Sequence, residues 1–158
     1  MPNTQSMCTS FLGEVLTATH NFGTAPIRAA GTADTFKAAL FLASATVNAS
    51  TTVYSTTGEV TGTNYSPGGV TVTNATAPLA SNTSATAGTA YWTPSASITY
   101  TNVTLATAFD AVLIYNSTQS NKAVSVHTFG SQTVTAGTFT LTMPSNTTST
   151  ALLRLATT

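Results

Sequence analysis

Apolar and polar residues alternate along much of this chain with a period of two, and the longest departure from that alternation marks its centre. Phe109-Asp110-Ala111-Val112-Leu113-Ile114-Tyr115-Asn116 is apolar on both alternating faces, the pattern of a strand covered on both sides. A polar turn from Asn116 to Lys122 leads into Ala123-Val124-Ser125-Val126-His127-Thr128-Phe129, a second strand at hairpin spacing. Gly130 is expected to break it. Ala136-Gly137 then opens Thr138-Phe139-Thr140-Leu141-Thr142-Met143, where threonines alternate with large apolar residues, as in a strand with one dry and one wet face. Pro144 ends it, because proline has no N–H to give to a ladder.

Before this centre, Met7, Cys8, Phe11, Leu12, Val15 and Leu16 recur at helical spacing and predict one short amphipathic helix. Ser6 is placed to cap it, and Gly23 lies just beyond its end. Such a helix either lids one end of the sheet or docks on a neighbour. After a loop from Gly23 to Ala33, the run Asp34 to Ala43 suits strand or helix, and the following Thr46-Val47 and Thr51-Thr52-Val53-Tyr54 favour extended structure. Asn64-Tyr65 and Pro67-Gly68-Gly69 mark a bend that feeds a strand at Val70-Thr71-Val72-Thr73. Ala75 to Gly88 is poor in complexity and reads as an exposed loop at a sheet edge. Trp92, the single tryptophan, is expected as a core anchor. Strands at Ile98–Val103 and Ala151–Leu155 complete about eight. The fold class is therefore mainly β, an antiparallel β-sandwich or jelly roll with a short N-terminal helix. Residues 1–33 form the helix and arm, and residues 34–158 the sandwich domain.

Composition sharpens this. Threonine supplies roughly a quarter of the 158 residues, against an average led by Leu, Ala and Gly, and its β-branched side chain fits a half-wet pleated surface. Charged residues make up only 5% of the chain: Glu14, Asp34, Glu59 and Asp110 against Arg28, Lys37, Lys122 and Arg154. Four scattered cations cannot make a phosphate-neutralising patch, so no nucleic-acid partner is expected. Balanced, sparse charge also removes the repulsion that keeps free proteins apart. This suits a protein that works inside an assembly, although a surface hydrated by Thr, Ser and Asn reads the same way. Cys8 is the single cysteine, which excludes an intrachain disulfide. No apolar run is long enough to cross a membrane, no signal peptide is visible, and synthesis in a cytosol is expected.

The chemistry-bearing residues are few. Serines abound, but no Gly-x-Ser-x-Gly elbow is present. His20 and His127 stand far apart; His127 shares a strand face with Ser125 and reads as a satisfied core or interface histidine, and His20 as a partner for the helix's terminal carbonyls. Asp110 reads as a paired structural charge or a turn residue. No clustered metal ligands, paired carboxylates or glycine-rich phosphate loop occur, so no catalytic residue, cofactor or metal is expected and the chain is read as a non-enzyme.

Several segments, taken in order, resemble a family of small virion structural proteins of tailed bacteriophages and prophages. They are Ser10-Phe11 to Leu16, His20-Asn21-Phe22, Asp34-Thr35-Phe36-Lys37-Ala38-Ala39-Leu40, Gly58-Glu59-Val60, Gly62, Tyr65 and Gly68-Gly69. Ala111 to Asn116, Phe129-Gly130 and Val134 to Leu141 complete the set. The resemblance implies a virion component with no catalytic residues to carry over. A capsid decoration (cement) protein on the outside of a phage head fits best, made in the host cytoplasm and located on the capsid surface. Its expected partners are the major capsid protein and further copies of itself, most simply as a homotrimer. Phe11, Val15 and Leu16 of the helix, or Leu152, Leu153 and Leu155 near the end, are the candidate oligomer or capsid contacts. A tail or head-fibre component is the alternative, although fibres usually carry repeats or heptads that this chain lacks. A carbohydrate-binding module would use Trp92, Tyr91 and Tyr65 instead.

Overall fold

Two strands dominate the fold: β6 (Ile98–Asn116) and β7 (Lys122–Leu141), paired as one antiparallel hairpin. A computed structural model of the chain describes residues 3–16, 18–22, 33–73, 77–83 and 86–156, without the side chains of residues 12, 13, 16, 82, 83, 86 and 87. In the half of β6 next to the turn, every residue from Ala111 to Asn116 is buried. Its edges are paired as well, with β7 on one side and β2 (Phe36–Leu42) on the other. The run that is apolar on both faces is thus the middle of a sheet. The turn itself has Ser120 and Asn121 both at positive φ, and Lys122 N–H bonds the Gln119 carbonyl at 3.2 Å. That backbone twist matches the right-handed twist of the strands it joins.

The larger sheet has the order β1-β7-β6-β2-β3, with β1 (Ser6–Met7) on the β7 edge and β3 (Val70–Thr71) on the β2 edge. A second antiparallel sheet is ordered β4-β5-β8, from Leu79–Thr83, Thr86–Trp92 and Leu153–Ala156. Helix α1 (Thr9–Leu16) packs on β7, with Cys8 and Phe11 of the predicted stripe buried in the common core. Phe22 joins the sheets: its ring centroid lies 4.4 Å from that of Phe36 and 4.8 Å from that of Trp92. Trp92 is an anchor of the core, 2% exposed. The molecule is mainly β, two antiparallel sheets in a sandwich-like arrangement with one short N-terminal helix.

Several boundaries differ from the expected ones, each for a local reason. Ile98–Val103 and Phe109–Asn116 are one strand, and Gly130 does not end β7. The ladder instead shifts register at five places, absorbing extra residues as bulges. Two bulges carry non-glycine residues at positive φ, Asn102 and Ala136. At the second, the Ala136 N–H is taken by the Thr104 hydroxyl at 2.9 Å. The low-complexity stretch is not a loop, because its described residues form the β4–β5 hairpin. Thr46-Val47 and Thr51–Tyr54 lie in turns and irregular chain, with a single bridge from Val53 to Lys122. Ser6 belongs to β1, and the first turn of α1 closes on the Cys8 carbonyl, which accepts from Phe11 N–H at 3.0 Å. Gly23 lies outside the described residues.

If the buried half of β6 sets stability, truncating it must cost far more than truncating the wet ribbon. Leu113, fully buried, mutated to Ala is expected to lose about 2–5 kcal/mol in urea unfolding. Thr138→Ala, on an exposed position, should stay within about 0.5 kcal/mol. Comparable losses at both positions would contradict this fold.

Candidate functional site

Polar side chains that penetrate the core gather in two networks. The first surrounds Glu59, a carboxylate only 6% exposed. Its Oε1 accepts from the Tyr65 hydroxyl at 2.7 Å and Gly68 N–H at 2.8 Å, and its Oε2 from the Tyr54 hydroxyl at 2.6 Å. Tyr65 in turn accepts from Leu40 N–H at 3.0 Å, and Tyr115 donates to the Gly68 carbonyl at 2.8 Å. Gly69, at φ +68°, approaches β2 so closely that a Cβ would lie 1.7 Å from the Ala38 carbonyl oxygen, which only glycine tolerates. The whole bend from Tyr54 to Gly69 is thereby pinned across β2 and β6. Burial, reinforced by Glu59, raises the Tyr54 and Tyr65 phenols well above their ordinary range and Tyr115 to about 12. These phenols stay protonated donors, so the hydrogen bonds of the network are kept.

The second network lies where α1, the start of β2 and the β6–β7 turn meet. Lys122 Nζ donates to Glu14 Oε1 at 2.6 Å, and His20 Nε2 sits 2.7 Å from Glu14 Oε2. The other nitrogen of His20 faces the Asn116 amide nitrogen at 3.1 Å. That same amide nitrogen donates to Asp34 Oδ2 at 2.7 Å, while Asn116 Oδ1 accepts from the N–H groups of Thr118 and Gln119 at 3.1 Å each. Asp34 also accepts from Asn21 N–H at 2.9 Å. His20 thus binds the Glu14 carboxylate and Asn116 rather than the helix's terminal carbonyls, because the chain after α1 turns its ring into the core between Phe11, Phe22 and Phe36. Burial holds its pKa below the ordinary value, against the pull of Glu14 and Asp34. Burial pushes Glu14 up, but the hydrogen bonds from Lys122 and His20 outweigh it and leave the carboxyl below its ordinary value.

Neither histidine completes a catalytic constellation among the described residues. A carboxylate–imidazole pair activates a nucleophile only when a hydroxyl or thiol meets the free nitrogen, and at His20 that place is taken by an amide. Cys8 points its sulfur at the Asn48 carbonyl, 3.9 Å away, and burial, with Glu14 behind it, pushes its thiol up to about 11. His127 Nε2 meets the Ser125 hydroxyl at 2.9 Å, and burial lowers that histidine to about 4. Ser125 is 1% exposed, and among the described residues no carboxylate orients the ring, so the pair satisfies itself inside the core. Asp110 lies within β6, not at a turn, and accepts a hydrogen bond from the neutral Asn3 amide at 2.6 Å. No group of three metal-ligating side chains occurs among the described residues.

The contact candidates from the two ends of the chain meet. Phe11 and Val15 from α1 face Leu153 and Leu155 from β8 across an apolar groove of about 220 Å³, floored by Trp92 and Phe22. Phe11 and Leu153 are buried there, Val15 is half-buried, and Leu155 is 36% exposed. Leu152 turns the other way and lines a smaller apolar cleft with Val112 and Ile114. The Leu16 side chain lies outside the described residues. Sequence reasoning missed both polar networks, although their members were in view. Glu14, His20, Asp34 and Asn116 belong to one, and Glu59, Tyr65 and Gly68 to the other.

Glu59→Gln keeps one acceptor oxygen and should cost about 1–2 kcal/mol in urea unfolding, whereas Glu59→Ala orphans three donors and should cost at least about 3 kcal/mol. An alanine variant within about 1 kcal/mol of the parent would remove Glu59 as the anchor of the bend.

No family model matches this chain, and no curated protein and no solved structure matches it.

Proposed function

We propose that this chain is a non-enzymatic virion structural protein, a capsid decoration (cement) protein that binds the outside of an assembled phage head as a homo-oligomer, most simply a trimer. The observation that carries the reading is where its few charges lie. Glu14 and Lys122 pair with each other, Asp34 and Glu59 are buried in hydrogen-bond networks, and Asp110 is held by Asn3. Arg154 is exposed and Lys37 half-buried. The outer ribbon of β6 and β7 instead presents Thr99, Thr101, Thr133, Thr135, Thr138 and Thr140.

Such a surface approaches another protein without stripping water from ions, which is the costly step in burying charge. It also offers no field to steer nucleic acid or a charged substrate. Leu155 and Val15, at the mouth of the apolar groove, are the contacts assigned to neighbouring copies or to the shell, since Phe11 and Leu153 are engaged in the chain's own core.

An interface of this kind is held by apolar burial and backbone hydrogen bonds, which salt hardly screens. Heads carrying the protein should keep it when salt is raised from about 0.1 M to about 1 M. Because a cement binds only the assembled shell, heads lacking it should rupture at lower temperature. Release by salt alone, or an unchanged rupture temperature without the protein, would overturn the proposal.

A further inference from the structure

The buried chain Glu14–His20–Asn116–Asp34 has a polarity that permits only one protonation state at its centre. Asn116 is fixed in orientation, because its oxygen takes the N–H groups of Thr118 and Gln119 and its nitrogen gives one hydrogen to Asp34. Its second amide hydrogen therefore points at His20 Nδ1, 3.1 Å away, and that nitrogen must be an acceptor. The ring proton sits on Nε2, donated to Glu14. A proton added to Nδ1 would set N–H against N–H. Turning Asn116 over would relieve the clash at one point. It would also bring the amide oxygen against the Asp34 carboxylate and an NH₂ against two backbone N–H groups, so three good bonds are lost to gain one.

We propose that this chain is an acid-sensitive latch: with His20 neutral it ties α1 to the larger sheet, and protonation of His20 releases α1. The groups facing the ring from each packed element fit this role. From α1 comes Glu14, whose negative charge favours an imidazolium but is already matched by Lys122 of β7 at 2.6 Å. Asp34, ahead of β2, is joined to His20 through Asn116, and its charge also favours an imidazolium. Phe11, Phe22 and Phe36 enclose the imidazole, whose side chain is wholly buried. Released, His20 regains its ordinary pKa near 6.5. The open form then binds the proton more readily than the closed form, so the latch is firm above about pH 6.5 and weakens as the pH falls below it. What it ties down is α1, which packs on β7 with Cys8 and Phe11 buried in the core beside it. Acid would loosen α1 and open the core at Cys8. The latch is a property of the isolated chain and stands or falls apart from the phage-head reading.

Cys8, the single cysteine and fully buried between β1 and α1, reports the opening. Its labelling by 4,4′-dithiodipyridine, relative to the urea-unfolded chain at the same pH, should rise severalfold, up to about tenfold, from about pH 7.5 to about pH 5.5. Amide exchange at Val112–Ile114, corrected for its intrinsic pH dependence, should not rise with it. His20→Gln should flatten the profile. His127→Gln, which leaves His20 as the remaining imidazole, should keep it, and this arm decides the matter if the first variant does not fold. A flat profile in the parent, loss of the rise in His127→Gln, or a parallel rise in exchange at Val112–Ile114 would each overturn the latch.

Discussion

The structure depends on one strand segment being dry on both faces. From Ala111 to Asn116, β6 has neighbours on both edges and cover on both sides, and a strand so placed is stable only if something closes each face. On the β7 side the N-terminal segment serves, bringing Cys8 and Phe11 into the core. On the β2 side the bend from Tyr54 to Gly69 folds across and is fixed to Glu59. The bend and the stretch 18–22 after α1 are irregular chain, and irregular chain brings backbone and side-chain polar groups into an apolar place. Those groups must find partners there. The two buried networks are the consequence of that requirement, and they account for most of the charged side chains in the described structure.

The same constraint explains why the outer half of the hairpin looks so different. Beyond Phe109 the strands continue as a ribbon with Tyr100, Val103 and Leu105 turned inward and threonines turned out. Bulges at Asn102 and Ala136 bend it, and bulges increase local twist and make an edge a poor template for stray pairing. A protein with so few charges cannot guard an edge with lysines, so irregular pairing is the device left to it.

What was legible in the sequence followed from patterns that local chemistry controls. The Phe109–Asn116 run announced its double burial because no polar residue interrupts Ala111 to Tyr115. The helix stripe and the turn at Asn116–Lys122 were equally plain. The length of β6 and β7 was hidden because each bulge resets the phase of the alternation, so one long strand reads as two short ones. The β4–β5 hairpin was hidden because Ala, Thr, Ser and Asn give no contrast between faces, and its strands are joined by backbone bonds. The polar networks were hidden for a third reason. His20 and Asn116 are 96 residues apart, and Glu14 and Lys122 are 108 apart. Each looks like an isolated polar residue until the sheet brings them together.

A scaffold that draws Glu14, Asp34 and Glu59 into internal networks and spreads hydroxyls over its outer ribbon supports the proposal that this chain is added to an assembled surface. The most direct test is a density map of the particle that carries this chain. The account predicts copies of this β-sandwich seated on the outer face of the head shell, grouped about local three-fold positions. Density for the chain at the tail or portal alone would contradict it.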